Sequence, residues 1–242
     1  MKKSKRDKQF RVLQIIWVLC LSLGVFIGIK VIGPEHVVID TRLPLFDFDI
    51  VLDSGHGGET DPGTIGVNTG VYESQINIDI ANILKKELEN LGAKVYMTNT
   101  GNNALVQERL DVINGSNADF AISIHQNANE DDSSIKGTQI LVRDPQYYEL
   151  ADNMQEYFNN IQGTGLHAQR DPWIILKDAK QPSFIIECGF LTNNSEELKL
   201  SSPNYQQDIS KLIVDWLVEY YQPIKLEKVS ELKIKYPKRE VQ

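Results

Sequence analysis

Hydrophobic and polar residues along the chain form two kinds of pattern that alternate: short apolar runs, and longer segments in which apolar residues recur at regular intervals. Short apolar runs bounded by turn residues are typical of buried strands, and they lie at 50–52, 93–97, 120–124, 138–142, 173–176 and 184–186. Between these runs, apolar residues recur at every third or fourth position, which predicts helices over 74–91, 105–113, 145–161 and 205–221. Strands that alternate with such helices form parallel sheets covered by helices. The pattern therefore predicts a single three-layer α/β domain, with a mostly parallel twisted sheet and helices on both faces.

Residues 12–29 form an apolar run whose polar members are Gln14 and Ser22 and which carries no charge. As a helix, these 18 residues span about 27 Å, close to the hydrocarbon core of a bilayer at about 30 Å. Residues 1–11 contain six Lys or Arg and one Asp, and positive charge in this position stays in the cytoplasm. We therefore expect a cytoplasmic basic segment, then a single-pass membrane anchor, and an exported body.

Two alternatives to the anchor are a cleaved signal peptide, which would make the protein secreted, and a buried core helix. A signal peptidase site requires small residues two positions apart after the apolar run, and KVIGP at 30–34 offers none. The pattern favours the uncleaved anchor at 12–29.

The chain has 242 residues and a formal net charge of −8 although its first segment is basic, so the exported body is strongly acidic. An acidic body excludes nucleic acid as a partner, because phosphate contacts require a basic surface. Its two cysteines, Cys20 in the predicted anchor and Cys188 in the body, cannot form a disulfide framework. We expect a linker at 30–48, one folded domain at 49–222 and a polar tail at 223–242.

Four polar residues stand out because they lie beside predicted strand or helix ends. His56 lies in a glycine-rich turn after the first strand, Glu73 precedes the first long helix, and His125 and Glu187 each follow an apolar run. Ligands bind at the carboxyl ends of strands in sheets of this type. Two His and one Glu with an open fourth position are a known zinc-hydrolase set, and a further carboxylate can act as general base. The spacing of the four residues does not distinguish such a metal site from ordinary buried histidines and helix-capping glutamates.

Several longer motifs occur in a defined order and narrow these alternatives. They are LDSGHGG, DPGTIG, YESQINIDIANILKKELENLGAKVYMT, QERLDVIN, ADFAISIHQNAN and PSFIIECGFLTN. Together they cover about 49–222, and this region resembles the zinc-dependent N-acetylmuramoyl-L-alanine amidases of the Amidase_3 type, which cleave peptidoglycan.

The resemblance implies that His56, Glu73 and His125 bind Zn²⁺ and that Glu187 is the catalytic carboxylate. It further implies hydrolysis of the amide between N-acetylmuramic acid and L-Ala of the stem peptide. Two other functions stay open: a membrane-anchored wall-binding or scaffold module without activity, and another exported zinc peptidase that cuts within the stem peptide. Short anchored members of this type resemble amidases of spore-cortex maturation and of cell separation, with or without an activator protein.

Overall fold

The protein is described by a computed structural model over residues 41–99 and 105–235. The predicted basic segment 1–11 and the predicted anchor 12–29 lie outside the described residues. Within the described ranges, no helix has the length and apolar character needed to cross a membrane.

A six-stranded mixed sheet forms the centre of the described domain. Its strands are β1 (Asp49–Ser54), β2 (Lys94–Met97), β3 (Phe120–Asn127), β4 (Gln139–Val142), β5 (Gln169–Arg170) and β6 (Ser183–Phe190). Their order across the sheet is β2-β1-β3-β6-β4-β5. All neighbouring pairs are parallel except β4 with β6, which is antiparallel. The prediction of an α/β domain with a mostly parallel sheet is therefore confirmed.

Helices cover the two faces of this sheet. They are α1 (Glu73–Asn90), α2 (Val106–Gly115), α3 (Tyr148–Gln162), α4 (Ile174–Asp178), α5 (Asn194–Leu200) and α6 (Pro203–Lys235), with 3₁₀ turns at Gly58–Thr60 and Pro145–Tyr147. The four helices expected from the apolar periodicity all occur, with ends that differ by a few residues except at the carboxyl end of α6.

Alternation along the central strands divides the core into two sides. Ile50 and Leu52 belong to the larger cluster, which α1, α3 and α6 complete from their buried faces. Val51 points the other way and packs with Ile113 of α2 and Ile175 of α4. Since successive strand residues face opposite sides of a sheet, this pattern places helices on both faces, as predicted.

The apolar run 173–176 is not a strand, although its composition predicted one. It begins α4, where the amides of Leu176 and Lys177 donate to the carbonyl of Trp173 at 3.0 and 2.9 Å. Ile175 and Leu176 are buried, whereas Trp173 and Ile174 are exposed. A four-residue apolar run fits one turn of helix as well as a strand, because it is too short to show either period.

The packed body extends beyond the predicted boundaries 49–222 at both ends. Leu45, within the predicted linker 30–48, is fully buried, and its amide donates to the carbonyl of Leu91 at 2.8 Å. Helix α6 continues through Pro223 to Lys235, where a polar tail was expected. Lys228 Nζ in this extension donates to the carbonyl of Asp47 at 2.6 Å. Compact packing extends over 41–232.

Candidate active site

The turn after β1 brings His56 close to His125. The glycines around these side chains leave little room for a Cβ atom. A Cβ atom at Gly55 would lie 2.3 Å from Nε2 of His125. Gly63 has a φ of +68°, and a Cβ there would lie 2.5 Å from Oε2 of Glu73. Glycine is therefore required at both positions, because any side chain would displace the groups that line the site.

His56, Glu73 and His125 meet at the carboxyl end of the parallel strands. Oε1 of Glu73 lies 3.2 Å from Nε2 of His56 and 2.9 Å from Nδ1 of His125. Each residue offers one potential ligand atom, and the three atoms lie within 4.8 Å of one another. The three residues that the sequence analysis singled out are more than 15 positions apart in the chain, and the fold brings them together.

Two of the three side chains, His56 and Glu73, have further hydrogen bonds that fix their orientation. Nδ1 of His56 is 2.9 Å from Oδ1 of Asp61, which leaves Nε2 directed to the cluster. The amide of Thr64 donates to Oε2 of Glu73 at 2.9 Å, and the amide of Gln126 donates to Oε1 at 3.1 Å. Glu73 is also the first residue of α1, where the helix dipole favours negative charge.

The buried charges of the cluster shift the pKa values of Glu73 and His56. Burial alone would raise the pKa of Glu73, but its hydrogen bonds and charge attraction with His125 and His56 hold the pKa well below its usual range. Burial alone would lower the pKa of His56, but Glu73 and Asp61 outweigh it and raise the pKa to about 9. The carboxylate of Glu73 is therefore ionised, and a cation is favoured beside it.

These residues fit a Zn²⁺ ion by their chemistry. Two imidazole nitrogens and one carboxylate oxygen are a donor set that zinc uses in hydrolases. Hydrogen bonds behind the ligands are the usual support of such a site. Here Asp61 accepts from Nδ1 of His56, and the amides of Thr64 and Gln126 donate to Glu73. In the described ranges 41–99 and 105–235, no other group of three His, Cys, Asp or Glu side chains has this closeness.

Glu187 lies beside the cluster on β6, directly opposite His125 in the pairing of β3 with β6. Its side chain is almost wholly buried, and Oε2 has no hydrogen-bond partner within the described part of the chain. Burial raises the pKa of Glu187 to about 7. A carboxyl group with this pKa exchanges protons readily near neutral pH, as a general acid and base must.

The four residues line one cavity of about 590 Å³. The wall around the His and Glu side chains is polar, and an apolar wall is formed by Val106, Trp173, Ile174, Ile175 and Ile185. The ring of Trp173 is 59% exposed at this cavity. The site thus combines apolar surface with a few convergent polar groups, as ligand sites usually do.

A buried ion pair borders the cavity, and Arg109 of this pair is one of the lining residues. Nη1 of Arg109 lies 3.2 Å from Oδ2 of Asp53 and also donates to the carbonyl of Ser54 at 3.1 Å. Arg109 thereby pairs a helix with the central strand β1, and no local sequence pattern identifies Asp53 as its partner. Glu108, by contrast, accepts a hydrogen bond from the amide of Leu105 at the start of α2.

Arg109→Met is expected to lower the free energy of unfolding by about 3 to 5 kcal/mol, because it leaves the fully buried Asp53 without its counter-ion. Urea denaturation followed by circular dichroism measures the change. Arg170→Met removes an exposed Arg that pairs with Asp152 and serves as the control, with an expected loss of about 1 kcal/mol or less. Equal losses of unfolding free energy in the two variants would contradict the prediction that the buried ion pair stabilises the fold more than the exposed pair does.

Residues 50–219 match the family model described as Amidase_3, N-acetylmuramoyl-L-alanine amidase. The chain belongs to the Amidase_3 family. Among its relatives, the germination-specific N-acetylmuramoyl-L-alanine amidase of Bacillus subtilis (strain 168) is 30% identical over 202 residues, which cover 74% of this chain and 82% of the relative.

Solved structures of Amidase_3 relatives share the fold. The N-acetylmuramoyl-L-alanine amidase from Clostridium difficile 630 superposes with a TM-score of 0.67 at 28% identity, covering 72% of this chain and 96% of that one. The CwlD amidase from Clostridioides difficile, solved in complex with the GerS lipoprotein, gives a TM-score of 0.64 at 31% identity, covering 69% and 94%. The described α/β domain is therefore the amidase fold.

Proposed function

We propose that this Amidase_3 protein is a peptidoglycan hydrolase that cleaves the amide between the lactyl group of N-acetylmuramic acid and the L-Ala of the stem peptide. The observation that carries the proposal is the cavity in which the buried carboxyl of Glu187 lies beside the His56, Glu73 and His125 cluster. Oε2 of Glu187 has no hydrogen-bond partner among the described residues. Family membership supplies the substrate class.

In this proposal His56, Glu73 and His125 hold Zn²⁺. Bound there, Zn²⁺ supplies Lewis-acid chemistry: it polarises the scissile carbonyl and makes water a stronger nucleophile near neutral pH. The protein contributes the fixed orientation of His56, through Asp61, and of Glu73, through the amides of Thr64 and Gln126.

Glu187 carries the proton in both halves of the reaction. Its carboxylate takes a proton from the attacking water as the water oxygen bonds to the carbonyl carbon. It then gives this proton to the L-Ala nitrogen as the C–N bond breaks. The products are a free carboxyl on the lactyl group and a stem peptide with a free amino terminus. A pKa of about 7 lets Glu187 take up and release the proton at similar cost.

The cellular setting is a further part of the proposal. The apolar run 12–29 behind a basic segment favours a single-pass anchor that holds the enzyme at the outer face of the membrane, next to the wall. The CwlD relative is in complex with a lipoprotein, which makes a protein activator at the membrane surface a reasonable partner to seek for this chain as well.

Digestion of purified peptidoglycan followed by mass spectrometry tests the proposed reaction. We expect free stem peptides that begin with L-Ala, together with glycan strands that retain their disaccharide repeat. New amino termini within the stem peptide would instead indicate a zinc peptidase. Binding to the wall without soluble products, in zinc-loaded protein, would indicate a scaffold module.

A further inference from the structure

Asn77 is a fully buried polar residue on α1, one helical turn after Glu73. Its Nδ2 donates to the carbonyl of Gly55 at 3.1 Å and to Oε1 of Glu73 at 3.4 Å. Its Oδ1 accepts from Nε2 of Gln126 at 3.1 Å. Both donor hydrogens and the carbonyl oxygen of this one amide are therefore in use.

The three partners of Asn77 belong to the three segments that carry the cluster. Gly55 immediately precedes His56, Glu73 is itself a member, and Gln126 immediately follows His125. These segments come from the turn after β1, from α1 and from β3, which are separate in sequence. A single side chain thus connects all three sources of the candidate ligands.

We propose that Asn77 is a positioning residue that joins the three segments and thereby sets the affinity of the site for its metal ion. The proposal rests on the function proposed above, in which His56, Glu73 and His125 hold Zn²⁺. A metal binds most tightly when its ligands are already at the right separation, and residues behind the ligands maintain that separation.

Asparagine is suited to this position by its length and by its mixed hydrogen-bonding capacity. The groups that it meets at Gly55 and Glu73 are oxygens, which require donors, and the group at Gln126 is a donor, which requires an acceptor. An aspartate of the same size would place an oxygen against the carbonyl of Gly55 and the carboxylate of Glu73. Both contacts would become repulsive, although the volume of the side chain is unchanged.

Zinc affinity of the full-length protein in detergent tests the proposal. The dissociation constant is measured by competition with a chromophoric chelator for wild type, Asn77→Asp, Asn77→Ala and Asn82→Asp. Asn82 lies on the same helix but is exposed, so it controls for a new charge on α1. We expect zinc binding to weaken by about 10- to 100-fold in both Asn77 variants and to stay within twofold of wild type in Asn82→Asp.

Thermal unfolding of the metal-free proteins separates positioning from general stability. A lower unfolding temperature with unchanged zinc affinity would overturn the proposal, because Asn77 would then support the fold alone. If Asn77→Ala does not fold, the isosteric Asn77→Asp decides the question by its zinc affinity. If the wild-type protein binds no zinc, the proposed function itself is wrong. If an Asn77 variant binds zinc as tightly as wild type does, only the positioning role of Asn77 is wrong.

Discussion

Glu187→Gln is expected to lower the turnover number for amide hydrolysis by about 10²- to 10⁴-fold, the usual contribution of a general acid and base. Glutamine has nearly the same shape but cannot accept the water proton. It is also neutral, so it fits the buried position of Oε2, where no partner lies within the described residues. Zinc content is expected to remain that of wild type, because Glu187 is outside the ligand set. Release of stem peptides, together with metal analysis, measures both quantities.

The pH profile gives an independent check on the same residue. Since burial raises the pKa of Glu187 to about 7, the fraction of ionised base rises as pH increases through 7. The rate on the acid side should rise over the same interval in wild type and should be flat in Glu187→Gln. The control is Glu156→Gln, an exposed glutamate on α3, which should keep the wild-type rate. Full activity in Glu187→Gln would show that Glu187 is not the general base.

His125→Ala is expected to abolish hydrolysis by removing the metal ion. Loss of one of three protein ligands should weaken zinc binding by more than the about 10- to 100-fold that changes behind the ligands produce. The variant also leaves Oε1 of Glu73 without its closest partner, Nδ1 of His125 at 2.9 Å. Zinc per protein molecule, measured by atomic absorption after dialysis, should fall far below wild type, and stem-peptide release should fall with it.

His167→Ala is the matched control for this experiment. His167 is exposed, and its backbone carbonyl, rather than its ring, accepts a hydrogen bond from Gln139. Its replacement should leave zinc content unchanged. Wild-type zinc content in His125→Ala would contradict the ligand assignment.

Sequence reasoning found the residues with chemistry because each marks the end of an element. His56 follows β1, His125 lies near the end of β3, and Glu73 begins a helix. Glu187 lies near the end of the last strand, so parallel topology brings the four residues to one edge of the sheet. The fold brings these four side chains to one cavity, while their individual roles stay predictions. The alternation of strand and helix was equally accessible, since its periods differ clearly over long elements.

The residues behind the site could not be found in the same way. Asn77 and Arg109 are polar positions on helices, where polar residues usually face solvent, and nothing in the local pattern indicates that these two are buried. Only the tertiary contacts to Gly55 and Asp53 reveal their roles. The burial of Leu45, which precedes the predicted domain, could not be found for a similar reason, because Leu45 packs against a helix terminus that is distant in the sequence.

The hydrogen bonds around the cluster have a consequence for how the enzyme can be regulated. Zinc fingers unfold when they lose their metal, because the ion is their main source of stability. Here backbone amides of Thr64 and Gln126 hold Glu73, and an extended apolar core supports the strands independently. A metal-free molecule is therefore expected to keep its fold and to regain activity when zinc is added, without refolding.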